Sequence, residues 1–316
     1  MSLFGRYCFG AIAALSINVL PLSAAEITTP INSRHLRGVV LEGEIVPGDY
    51  NKLRDLAEFD ASLFEIYLAS PGGSVLEAMK IGRLLRALRW WTTVPSPITN
   101  PYIEGGREAI FKKYELENPQ SNYMCAGACF FIFIAGVHRE SDMTDVDDNA
   151  ILGIHRPTLT DSELRTISSD QAIAASNTVR DLVGDYLKEM NVPSKYADLM
   201  FSIPKDDIRW IDKASFQADF NGDIPELKDW LDARCDKRTD AEKAFDKATG
   251  DKMAKDLTVA ERIIVDELHQ KFKARLDCEW ALRDKLHLEA WTKMFPSRES
   301  AETSWWWRLW QGMTGR

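Results

Sequence analysis

Lysine and arginine are the scarce side of this chain's charge balance. There are 39 of them against 48 aspartates and glutamates, a formal net charge of -9 over 316 residues. No basic cluster stands apart from mixed-charge helical stretches, so the chain lacks the phosphate-neutralising surface of a nucleic-acid partner. No histidine lies at ligand spacing from a cysteine, which excludes the usual thiolate–imidazole metal site. No metal and no other cofactor is expected. The apolar run from Tyr7 to about Leu22 is shorter than the roughly 20 residues a membrane-spanning helix needs. The remaining composition, 45% hydrophobic and 28% charged, is that of an ordinary soluble globular protein.

That apolar run fits a secretory signal. One basic residue precedes it, and Ser23-Ala24-Ala25-Glu26 follows, with cleavage expected after Ala25 and a periplasmic or secreted product. A retained membrane anchor is the alternative reading. Export leaves four cysteines once Cys8 departs: Cys125, Cys129, Cys235 and Cys278. Two disulfides are then possible in three connectivities, and proximity along the chain favours Cys125–Cys129 with Cys235–Cys278.

Strand-like and helix-like stretches alternate. Arg37–Ile45 reads as a strand, Pro47–Glu58 as a turn and helix, and Leu63–Ala69 as a second strand. Ser70-Pro71-Gly72-Gly73-Ser74 breaks the pattern before a helix with apolar residues from Val75 to Leu88, and Trp91–Val94 reads as a third strand. Residues 95–122, with Pro95, Pro97, Pro101 and Gly105-Gly106, read as an insertion. Then come CAGAC (Cys125–Cys129) with an apolar helix, an acidic loop from Glu140 to Asn149, and a strand from Ile151 ending at His155. Helices are expected over 161–190 and 194–201, and a β-like segment over Ile208–Ile211. This is an α/β pattern with a buried sheet.

From Leu227 the composition changes. Residues 227–294 read as two long amphipathic helices, a hairpin clipped by Cys235–Cys278. The tail carries Trp305, Trp306, Trp307 and Trp310 beside Arg308. That suits a membrane interface or a partner groove, or else a terminal helix covering an apolar patch.

The chemistry-bearing residues fall in a telling order. Gly72 and Gly73 end a strand where a helix begins, a place that leaves backbone N–H groups open. A small-residue helix opening follows at Ala126-Gly127-Ala128, then a strand-end histidine, His155, in Ile154-His155-Arg156-Pro157. This order resembles the Clp protease proteolytic subunit and the wider crotonase-like superfamily. It is most similar to exported, uncharacterised members, which read Cys-Ala-Ser-Ala-Cys at the helix opening and Asp-Asp-X-Arg-Trp later; here these are CAGAC and Asp206-Asp207-Ile208-Arg209-Trp210. The resemblance spans residues 36–223. It implies a Clp/crotonase-like β-α spiral with a C-terminal helical appendage, a homo-oligomer, an oxyanion hole at Gly72, Gly73 and Ala128, and His155 as base.

It also implies a serine where this chain has Gly127, and an aspartate a few residues before Trp210 where it reads Phe201-Ser202-Ile203-Pro204. Without nucleophile and orienter, acyl transfer by the usual triad is not available. The leading expectation is a pseudoenzyme that holds an extended peptide or protein ligand. The alternatives are a hydrolase with a displaced nucleophile, Cys129, Ser74 or Ser202, and a membrane-surface adaptor working through the Trp-rich tail. Glu77, four residues beyond Gly73, is expected to face solvent.

Overall fold

The computed structural model describes residues 25–29, 38–94, 125–141, 152–157, 168–204, 207–249 and 256–296. The apolar N-terminal segment up to residue 24, the 95–122 insertion and the tail with its four tryptophans lie outside them.

The fold is mixed α/β. Nine strands are described: β1 Glu26–Thr28, β2 Gly38–Glu42, β3 Glu65–Ala69, β4 Trp91–Val94, β5 Cys125–Ala126, β6 His138–Ser141, β7 Leu152–Ile154, β8 Arg209–Trp210 and β9 Gly222–Asp223. The described helices are α1 Asp49–Phe59, α2 Val75–Leu88, α3 Ala128–Phe133, α4 Ser169–Glu189, α5 Lys195–Ser202, α6 Lys213–Asp219, α7 Pro225–Asp232, α8 Asp240–Thr249 and α9 Val259–Met294.

The larger sheet runs β1-β2-β3-β4-β6-β9, with β2, β3, β4 and β6 parallel and an antiparallel strand at each edge. On one face Val39, Leu41, Ile66, Leu68, Thr92 and Val94 are all fully buried. α1, α2 and α3 pack there, as parallel strands require of their crossover helices. The opposite face carries Glu65, Tyr67, Trp91, Thr93 and His138, aligned by register Glu65↔Trp91↔His138.

A second sheet, β5-β7-β8, branches from the end of β3. Ser70 bridges Cys125, and Ala126 N–H donates to Ser70 O at 3.0 Å. One strand therefore feeds two sheets, and the branch point is the Ser-Pro-Gly-Gly turn.

Several expectations need correction. The sheet begins ahead of residue 36: β1 pairs with β2, Ala25 is buried, and its N–H donates to Glu44 O at 2.7 Å. Three residues are too few to show a period-two pattern. His138–Ser141 is a strand where the acidic loop was expected to begin at Glu140, because pairing with β4 and β9 overrides a polar sequence. Among the described residues the 227–294 region holds three helices, of which α9 alone has 36 residues. Cys235 and Cys278 are joined as expected, with Cα atoms 5.7 Å apart, but the bond ties the connection after α7 to the middle of α9. Trp291 of α9 and Phe295, just after it, belong to the main hydrophobic core.

Candidate functional site

The site forms where the two sheets diverge. Gly72 and Gly73 have φ of 118° and 124°, conformations that side chains oppose. A Cβ on Gly73 would collide with the Ile45 backbone, and one on Gly72 would stand 3.0 Å from Ala126 O and 3.1 Å from Ala128 N. The turn is thus laid directly against the CAGAC turn. Ile45 N–H donates to Gly72 O at 2.7 Å and Ser74 N–H to Ile45 O at 2.8 Å. That ladder leaves the Gly73 N–H unused, on an exposed residue.

The facing turn has the shape of a nucleophile elbow. Gly127 N–H donates to Gly153 O at 3.1 Å, and the chain then bends sharply into α3 with Gly127 at φ 56°, ψ -116°. Such a conformation costs a residue with a side chain about 1–3 kcal/mol. Ala128 opens α3, so its amide has no in-helix acceptor. Among the described residues the Gly73 and Ala128 amides are therefore unpaired donors on adjoining turns, the first on an exposed residue and the second on a fully buried one.

His155 closes the third side. It directly follows β7, is half-buried, and its Nδ1–H donates to Arg156 O at 3.0 Å. The lone pair of a neutral ring is then on Nε2. A Cβ built on Gly127 would overlap that ring, with Nε2 the nearest atom, Cδ2 at 2.7 Å and Cε1 at 3.1 Å. The imidazole occupies the space a side chain at position 127 would need.

The orienting group is a backbone carbonyl. Phe201–Pro204 supplies no carboxylate; Phe201 O instead accepts from Arg156 Nη2 at 2.7 Å. Asp207 is exposed, and Asp206 lies outside the described residues.

The proposed substitute nucleophiles are otherwise engaged. Cys129 is fully buried and joined to Cys125, with Cα atoms 5.1 Å apart, so it offers no thiolate. Both cysteines bracket Gly127 and pin its bend. Ser74 Oγ caps α2 by accepting Glu77 N–H at 3.3 Å. Ser202 Oγ donates to Leu199 O at 2.7 Å from an exposed position.

Glu77 faces neither cleft nor solvent. It is buried, and Oε1 accepts N–H from Gly48 at 2.8 Å and Tyr50 at 3.0 Å at the start of α1. Burial opposes its charge, but those two amides and Lys80 outweigh it and hold its pKa below the ordinary glutamate value. The carboxylate thereby fixes α1 against the first turn of α2, just behind the glycine turn.

Ile208 and Trp210 were read as part of a motif and of a β-like segment. β8 pairs antiparallel with β7, and both side chains lie over Gly153 while remaining 42% and 39% exposed. They add an apolar rim to the strand that carries His155.

Chemically, the site offers one exposed backbone amide, at Gly73, and an imidazole lone pair at Nε2. Among the described residues, the position facing that nitrogen is Gly127, which has no side chain to attack with. Among the described residues no cluster suits a metal ion, and no helix is long and apolar enough to cross a membrane. The two disulfides fit an oxidising, exported environment. Comparison with protein-family models and with curated proteins finds no match for this chain.

Proposed function

We propose that this is an exported protein of Clp/crotonase-like fold whose cleft holds an extended peptide or protein segment without cutting it. One observation carries the reading: the volume a nucleophile at position 127 would fill is taken by the His155 ring. The exposed, unpaired Gly73 amide supports a carbonyl-holding role, since a donor aimed at an oxygen serves binding as well as catalysis. The exposed apolar pair Ile208 and Trp210 offers side-chain contact alongside. The branched sheet agrees with the fold that the motif order implies.

The test is titration of the full chain with unstructured peptides, followed by amide NMR and mass spectrometry. A shift at the Gly73 amide, with every peptide recovered intact, is the expected result. No binding by any peptide would overturn the reading. Cleavage products that vanish in His155→Ala would replace it with a working hydrolase.

A further inference from the structure

Arg156 follows His155 directly at the end of β7. A guanidinium has five N–H donors and no acceptor, and it keeps its charge at any pH at which a protein folds. Other half-buried arginines of this chain are well provided for. Arg283 meets both carboxylate oxygens of Asp223 at 2.7 Å, and Arg275 meets Asp232 at 2.7 Å. Arg86 donates to Ala135 O at 2.8 Å and to Ile134 O at 3.2 Å. Arg156 differs. Its Nη2 donates to Phe201 O at 2.7 Å, but Nε is enclosed by protein and has no hydrogen-bond partner. Nη1 is bonded to none of the described residues and is not enclosed, and among those residues no carboxylate pairs with the group.

The neighbouring side chains add positive charge. Arg180 of α4 lies over the Phe201 ring, 4.6 Å from its centroid. Arg209 of β8 is exposed and stands opposite Ile154 in the β7–β8 register. Asp198 approaches Arg180 only to 3.8 Å from an exposed position, and Asp207, which precedes β8, is also exposed. Three arginines thus gather about the end of β7 in a chain of net charge -9.

Given the peptide-holding role proposed above, on which this rests, we infer that Arg156 receives a carboxylate of the bound peptide, from its C-terminus or from a Glu or Asp side chain. Arg209 adds attraction at longer range. Guanidinium and carboxylate join through charge-assisted N–H bonds. Desolvation normally opposes such a pair. On the protein side that cost is reduced here, because Nε has already lost its water in the folded chain and gained no acceptor in return. The incoming carboxylate keeps part of its hydration, since Arg156 is only half-buried. Phe201 O holds the guanidinium in place beforehand, which lowers the ordering cost of capture.

Titration of the full chain with four versions of one unstructured peptide tests this: C-terminus free, C-terminus amidated, and amidated forms carrying an internal Glu or Gln. A charged version should bind about tenfold more tightly than its neutral counterpart, with the gain shrinking as salt rises. A gain for the free C-terminus identifies a terminal carboxylate; a gain for Glu over Gln identifies a side chain. Arg156→Lys keeps the charge without the fork and should lose most of the gain. Arg209→Gln should reduce it about twofold at low salt. The enclosed Arg156 Nε–H should shift in proton–nitrogen spectra with the charged peptide and stay put with the neutral one. Equal affinities for charged and neutral peptides, or a full gain in Arg156→Lys, would overturn the role of Arg156 while leaving the cleft a peptide site. Binding by no peptide would overturn the cleft reading and this role with it. If Arg156→Lys does not fold, the wild-type peptide pairs and the Nε–H shift decide.

Discussion

The two ends of α2 are built on opposite rules. At its N-terminal end, Gly72, Gly73 and Gly127 strip side chains from two touching turns and leave the Gly73 amide open. At its C-terminal end, His287 and Trp291 bring side chains in and close the carbonyls of two helices. An open donor beside a histidine suits an incoming carbonyl. Closed acceptors suit a permanent dock. In the proposed reading, one end of the helix is kept for a ligand and the other for its own chain.

Removing the tether at the closed end should have the largest effect. Cys235→Ser with Cys278→Ser opens a loop of sequence separation 43, worth about 4 kcal/mol of unfolding free energy by chain entropy. The same change at Cys125 and Cys129, separation 4, should cost only about 2 kcal/mol. Urea unfolding measures both; equal costs would show that the elbow disulfide does more than close a loop.

Gly127→Ala comes next, at about 2–3 kcal/mol, from backbone strain plus displacement of the imidazole. Thermal unfolding gives the cost, and the His155 ring resonances should move. A neutral substitution with an undisturbed ring would mean the elbow tolerates a side chain, and the contrast between the two ends would fail.

Glu77→Gln should cost the least, about 1–2 kcal/mol, since a buried acceptor of two amides is weakened. Because the folded carboxylate has a lowered pKa, its contribution is complete above the unfolded value of about 4.3 and is lost as pH falls toward the folded value. The variant should therefore lose less stability than wild type on acidification below pH 4. Equal acid sensitivity in a pH series of unfolding curves would remove Glu77 from the support of the glycine turn.

Much of the open end was legible in the sequence, because its signals are local. Gly-Gly after an apolar strand, a glycine between cysteines four apart, and a histidine closing a strand each mark a backbone event. The absent serine and aspartate were equally plain. What could not be read was where His155 would turn: the ring's occupation of the Gly127 space depends on β5 and β7 lying side by side. Ser74-x-x-Glu77 has the spacing of a capping box, yet Glu77 serves α1, a partner 27 to 29 residues away. The closed end was almost invisible. His287 and Trp291 sit in a long charged helix, and their acceptors lie 199 to 234 residues earlier. No periodicity encodes a side chain meant for another helix's last carbonyl. For the same reason α9 shows no single apolar stripe: its early turns meet little of the core, while Trp291 near its end is fully buried.

The claim that this cleft grips without cutting is tested most directly by fluorophosphonate labelling of the full-length protein. With the imidazole seated against a bare Gly127, no serine should become covalently modified, at any pH at which the protein is folded. Labelling of a single serine, abolished by His155→Ala, would show a working nucleophile within reach of that ring and contradict it.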